Sequence, residues 1–181
     1  MGILAAIFEA RNSGYGQVVD AAISDGVSSL MSLFQMQKAR SSFQEKRSSN
    51  LLDGSMPYYT VYETLDKAYI SLAPIEPKFF RVLCEKISLP AALHDAQNDP
   101  TRRLELRDAI ADIIRQRTRR QWCELLEGTD VCFAPVLSLS EAVTYPHNQS
   151  RGTFMDIDGV VQPAPAPTFF TYSVSDPEKG A

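Results

Sequence analysis

Two alternating runs, "YYTVYET" at 58–64 and "AYISLAP" at 68–74, stand only three residues apart. That spacing constrains the chain more than any other feature. Side chains that alternate apolar and polar suit strands with one buried face, and the gap Leu65-Asp66-Lys67 fits an antiparallel hairpin. A lone hairpin is marginal in water, so its apolar face needs helices to lie against. They follow at once. After Glu76-Pro77, the residues Phe80, Leu83, Cys84 and Ile87 recur at helical steps, and this helix ends near Leu89-Pro90. In "NDPTRRLELRDAIADIIRQR", Asp99-Pro100 reads as a cap followed by proline at the first position, with a stripe of Leu106, Ile110, Ile113 and Ile114. Thr118 and Gln121 have capping-box spacing for "RRQWCELLEG", with Gly128 as the stop. "VCFAPVL" (131–137) supplies a further strand, so this stretch reads as α+β.

The flanks read differently. Residues 2–11 have helical composition, with Asn12-Ser13-Gly14 as a stop, and "GQVVDAAI" (16–23) reads as a short buried strand. Asp25-Gly26 then precedes "VSSLMSLFQMQKA", where Val27, Leu30, Met31 and Phe34 trace one helix face. Helix, strand and helix suggest the tail of an α/β layer, yet one strand cannot make a sheet. "ARSSFQEKRSSN" (39–50) reads as a linker. Toward the end, "SLSEAVTYP" is a short helix closed by Pro146, and Asp158-Gly159 in "TFMDIDGVVQ" signals a hairpin. "PAPAPTFF" favours an extended, polyproline-like path.

Composition excludes some functions. A formal charge of −4 offers no general basis for nucleic-acid binding. The cysteines, Cys84, Cys123 and Cys132, have no paired spacing and are odd in number, which argues for a reducing compartment. No run reaches the ~18 apolar residues a membrane span needs. "MGILAAIFEARNSG" lacks the basic start of a signal peptide, and "DPEKGA" is not a peroxisomal address. A cytoplasmic protein without membrane or nucleic-acid partners is expected.

Residue patterns alone yield no enzyme. His94 and His147 read as turn residues, and neither has metal-ligand spacing to the cysteines. No phosphate-cradling glycine loop and no GxSxG elbow occurs. Arg102, Arg103, Arg107, Arg115, Arg117, Arg119 and Arg120 could face the phosphates of a nucleotide-like ligand. They read more simply as a solvated face alternating with Glu105, Asp108 and Asp112. Asp20 and Asp25 lie near strand ends, where α/β folds often bind ligands, but suit caps or turns as well. Glu76 has the local pattern of helix punctuation: a carboxylate in the positive field of a helix start, just before proline.

Several longer blocks resemble a known family. "GILAAIFEARNSGYGQVVDAAISDG", "LLDGSMPYYTVYET", "APIEPKFF", "GTDVCFAPVLSLSEAVTYPHNQSRGTF" and "GVVQPAPAP" are similar, in order, to successive blocks of the alpha-methylacyl-CoA racemases of the family III CoA-transferase superfamily. The resemblance implies a fold of α/β plus α+β: residues 1–26 ending a large Rossmann-like domain, 27–49 a helical crossover or linker, 50–150 the small α+β domain, and 151–181 a segment returning toward the large one. It implies that the chain corresponds to the C-terminal half of a family member, which when complete forms an interlocked homodimer. The implied reaction interconverts (R)- and (S)-2-methylacyl-CoA thioesters through an enolate, with acyl-CoA as substrate and no cofactor or metal. Two acid/base groups on opposite faces are required, and in the family these are an Asp and a His of the N-terminal half. By its place in "APIEP", Glu76 matches the small-domain Glu that pairs with that His. It is the one catalytic residue carried over; no cofactor-binding residue is. The Asp and His motifs do not occur here, so the chain is expected to need the N-terminal half, in cis or in trans, and to be inactive alone. Lys67 stands where the family usually has Gly, which implies a strained turn. A CoA-transferase of the same superfamily and a non-catalytic stand-alone assembly or binding module are the alternatives.

Overall fold

The computed structural model describes residues 1–167. Its centre is a three-stranded antiparallel sheet, ordered β1 (Thr60–Glu63), β2 (Tyr69–Leu72) and β3 (Phe133–Val136). The register pairs Glu63 with Tyr69 and Leu72 with Phe133, so the expected hairpin forms. Its turn carries Lys67 at φ 62°, the left-handed backbone that the sequence implied. The single hydroxyl hydrogen of Thr64 is shared between the Asp66 carboxylate at 2.5 Å and the Ala68 carbonyl at 3.0 Å, which holds the turn in that conformation.

Three helices cover the inner face: α4 (Pro77–Lys86), α5 (Arg103–Ile114) and α6 (Arg119–Leu126). A 3₁₀ turn, Ala91–Leu93, links the first two. Ile70 and Leu72 of β2 join Phe80, Leu83 and Cys84 of α4, Leu106, Ile110 and Ile114 of α5, and Trp122 and Leu126 of α6 in one core. The indole N–H of Trp122 donates to the Ile114 carbonyl at 2.8 Å, so burying the ring leaves no unpaired donor. The capping box at Thr118 and Gln121 is formed in both directions. Asp99 is not the cap of α5. Its carboxylate accepts from the Thr101 amide at 2.9 Å and hydroxyl at 2.6 Å, closing a local turn, and the helix begins at Arg103. Such side-chain bonding competes with helix initiation and delays it.

Outside this unit the packing is thin. Among residues 1–49 no side chain is buried. Helix α1 (Gly2–Ser13) ends at Gly14 with φ 78°, as its sequence foretells. The stretch at 16–23 is not a strand. Residues 14–22 lack helix or ladder structure and Val18 is exposed; valine's strand preference is realised only beside a pairing partner. Asp25 does not sit in a turn either, because α2 (Ile23–Leu30) already includes it. The single helix expected from 27 breaks at Met31 before α3 (Ser32–Ala39). There Ser28 and Ser32 donate back to the Ser24 and Ser29 carbonyls at 2.8 and 2.6 Å, a bonding pattern that bends helices.

Beyond β3, α7 (Leu139–Thr144) starts at a second capping box, Ser138 with Glu141. Pro146 opens α8 (Pro146–Ser150) as well as closing α7. It keeps Tyr145 extended at ψ 130°, as a residue before proline must be, and its fixed φ suits the first helical position. His147 therefore lies in a helix. The final hairpin, β4 (Phe154–Ile157) and β5 (Val160–Pro163), turns through Asp158 and Gly159, both with positive φ, as a tight two-residue turn requires. The proline-rich tail expected to run extended falls partly on residues 168–170, outside the described residues, as does the part of the return segment 151–181 from residue 168 onward.

Candidate active site

Glu76 stands where the sheet hands over to α4. β2 and β3 remain joined past their last paired residues, since the Ala73 amide donates to the Cys132 carbonyl at 2.9 Å. The chain then turns sharply: the Ile75 amide donates back to the Ala73 carbonyl at 2.8 Å. Pro74 sits at the apex, where its fixed φ favours the turn. Glu76 follows as the N-cap of α4, extended at φ −73° and ψ 136°, with Pro77 at the first helical position. Its carbonyl accepts from the Phe79 and Phe80 amides at 3.0 and 3.1 Å.

The carboxylate of Glu76 makes no capping bond. The residue is exposed, and its backbone, not its side chain, starts the helix. Its charge reaches Cys132, whose thiol is pushed above its ordinary range by desolvation first, then by the negative charges of Glu76 and Asp130, against the opposing Lys78. Cys132 itself adopts φ 50°. Lys78 lies over the Phe79 ring, 4.4 Å from its centroid. The end of the sheet thus carries an unspent carboxylate at the N-terminus of α4. Such a group can accept a hydrogen bond from an imidazole, fix its tautomer and stabilise its cation.

The sequence did not mark the residue that anchors this junction. Gln97 is one of few buried polar side chains. Its Nε2 donates to the Ile75 carbonyl at 2.8 Å and the Pro74 carbonyl at 3.2 Å. It lies in an irregular stretch, "HDAQNDP", where no periodicity separates an inward glutamine from an outward one.

The remaining candidates are engaged elsewhere. His94 Nε2 donates to the Leu89 carbonyl at 2.9 Å, the bond of a turn residue. Arg102, Arg115 and Arg120 pair with Glu105, Asp112 and Glu124 on the surface. Arg107 donates to the Gly54 and Ser55 carbonyls, both at 2.7 Å. Arg117 lies over the Trp122 ring, and Arg119 bonds Glu141 and the Val136 carbonyl. These guanidinium groups support the fold and do not converge on a phosphate cradle. Asp20 lies in the irregular segment before α2, and Asp25 accepts from the neighbouring Ser24 hydroxyl at 3.3 Å. No group of three His, Cys, Asp or Glu side chains could hold a metal among the described residues. Among them, too, no helix is long and apolar enough to cross a membrane. An apolar hollow of about 400 Å³ opens between α3 and the following loop, lined by Phe34, Phe43, Leu51 and Leu52. Glu76 is not on its wall.

The chain is similar to several known proteins. The mouse (Mus musculus) alpha-methylacyl-CoA racemase is 34% identical over 167 residues, which is 92% of this chain and 44% of that protein. Its human (Homo sapiens) counterpart is 34% identical over 168 residues. Succinyl-CoA:mesaconate CoA-transferase of Haloarcula hispanica is 30% identical over 161 residues, 87% of this chain and 40% of that protein. The chain thus spans less than half the length of these relatives. Among solved structures, Rv3272 from M. tuberculosis superposes with a TM-score of 0.69 at 16% identity, over 94% of this chain and 45% of its own. A CaiB/BaiF family protein from Brucella suis superposes with a TM-score of 0.67 at 21% identity, over 92% and 45%. Those two share the fold. The sequence profile of CoA-transferase family III matches residues 1–179, and the chain belongs to that family.

Proposed function

We propose that this chain is the C-terminal portion of an alpha-methylacyl-CoA racemase, in which Glu76 orients a histidine supplied by an N-terminal half. The observation that carries the reading is the Glu76 carboxylate: exposed, unspent on its own helix, and held at a rigid strand-to-helix junction. The identity to two proteins named as racemases supports the same reading.

The reaction removes the α-proton of a 2-methylacyl-CoA thioester on one face and returns one on the other. It needs two acid/base groups and a stabiliser for the enolate oxygen. Glu76 supplies neither proton. It holds the partner imidazole in one tautomer and lowers the energy of the imidazolium that forms when the base takes the proton. The division of the chain at 26, 49 and 150, the acyl-CoA substrate, the homodimer and the absence of a cofactor belong to this proposal. The exposed apolar side chains of residues 1–36, such as Ile3, Leu4, Phe8 and Leu30, favour a covering partner over a stand-alone module.

The test is α-proton exchange into a 2-methylacyl-CoA in heavy water. The chain alone is expected to show none above a Glu76→Ala control, and co-expression with an N-terminal half bearing the Asp and His is expected to restore exchange. Exchange by the chain alone would overturn the assignment. The succinyl-CoA:mesaconate CoA-transferase among the relatives favours one second reading, transfer of CoA between two acids. An assay of the complemented protein with a donor thioester and a free acceptor acid separates the two.

A further inference from the structure

We propose that Gln97 is a positioning residue that fixes the backbone turn from which the Glu76 side chain projects; the inference rests on the reading of Glu76 as a histidine partner. Among the described residues, the Glu76 carboxylate makes no capping bond that would hold it. The point from which the side chain projects is set by the backbone at 74–76, and that backbone is a tight turn outside the ladder. Pro74 has no N–H, and the Ile75 N–H is spent inside the turn on the Ala73 carbonyl. The carbonyls of Pro74 and Ile75 both accept from the side-chain amide of Gln97.

Gln97 is 8% exposed, and it follows Ala96, whose amide bonds the Leu93 carbonyl at 3.1 Å and whose side chain lies in the core. One end of the tie is therefore anchored in packed structure and the other sits immediately before Glu76. A leucine fills nearly the same space but donates nothing, so two carbonyls would lose their partner. The turn could then relax, and a displacement of about 1 Å at a reacting group costs on the order of 10²-fold in rate.

The test uses the chain complemented with its N-terminal half and reads α-proton exchange in four proteins: parent, Gln97→Leu, Glu76→Gln and the double variant. The expected result is a loss of about tenfold or more in kcat for Gln97→Leu with KM unchanged, and less than about twofold further loss when Glu76 is already Gln. An equal loss in both backgrounds would mean that Gln97 only supports the fold, and overturns the proposal. Impaired Glu76→Gln beside an unimpaired Gln97→Leu overturns it too, while leaving the function of Glu76 standing. A parental rate in Glu76→Gln overturns both readings together. Should the leucine variant unfold, Gln97→Glu carries the comparison, because its carboxyl donates only while protonated. A rate that falls with rising pH in the presence of Glu76, and not in its absence, is then expected; the same pH profile in both backgrounds overturns the proposal.

Discussion

At Glu76 the backbone and the side chain have separate tasks, and this makes the residue testable without ambiguity. The backbone carbonyl starts α4, and the carboxylate bonds nothing in the described residues that would stabilise the fold. Glu76→Gln is expected to leave stability within about 0.5 kcal/mol of the parent, as for an exposed residue free of such bonds. In the complemented enzyme the same change is expected to lower proton exchange by about 10²-fold, the low end for a group that supports acid/base transfer. Denaturant melts and exchange rates on one preparation check both halves. Cys132 offers an independent reporter. Its thiol is raised by desolvation and by the charge of Glu76, so neutralising Glu76 should lower it and speed alkylation at mildly alkaline pH. Peptide-resolved iodoacetamide kinetics distinguish Cys132 from the buried Cys84, whose thiol burial pushes up to about 11. An unchanged Cys132 rate would place the carboxylate elsewhere in solution.

Elements in this chain are held as much by particular side-chain bonds as by periodicity. The box at Thr118 and Gln121 was legible from spacing alone, and Thr118→Ala is expected to cost about 1 kcal/mol, read as a lower denaturation midpoint at unchanged slope. Lys67 was legible too, because its left-handed backbone suits Gly, and Lys67→Gly is expected to stabilise by about 0.5–1 kcal/mol. The loop at 49–55 was not legible. Desolvation pushes the Asp53 carboxyl up, but bonds from the Ser49, Asn50 and Ser55 amides and the Asn50 side chain outweigh it and hold it at about 2. A carboxyl lowered in the folded state contributes stability above its unfolded value of 3.8, and that contribution is lost as pH falls toward 2. Asp53→Asn should therefore flatten the acid limb of the melting curve between about pH 4 and pH 2. Asp99 shows the converse limit, since its spacing suited a cap and its side chain closed a turn instead.

Across the whole molecule, apolar burial is uneven. The fully packed core runs from Tyr58 to Val131, whereas the helices before residue 40 expose Ile3, Leu4, Ile7, Phe8, Val27 and Leu30. Exposed apolar side chains in such number are a mark of surfaces that bind a partner. A polypeptide of residues 50–150 is expected to unfold in one cooperative step, with a midpoint within a few degrees of the full chain. Loss of cooperativity would show that the flanks contribute to the same folding unit. The full chain, by contrast, should bind a hydrophobic dye at neutral pH, and co-expression with the N-terminal half should suppress that binding.

The hairpin, the three core helices and their stripes were determined by the sequence itself. Each is written in the local spacing of apolar residues, and its partners lie within a hundred residues of chain. The stretch at 16–23 could not be settled that way. A strand exists only as part of a ladder, and valines at 18 and 19 without a neighbouring strand remain irregular chain. The resemblance pointed to Glu76, but only the tertiary structure decided that its carboxylate stands free while its carbonyl starts the helix. The same holds for Gln97. Its value lies in two carbonyls more than twenty positions away, and a hydrogen bond between distant segments leaves no periodic trace in either.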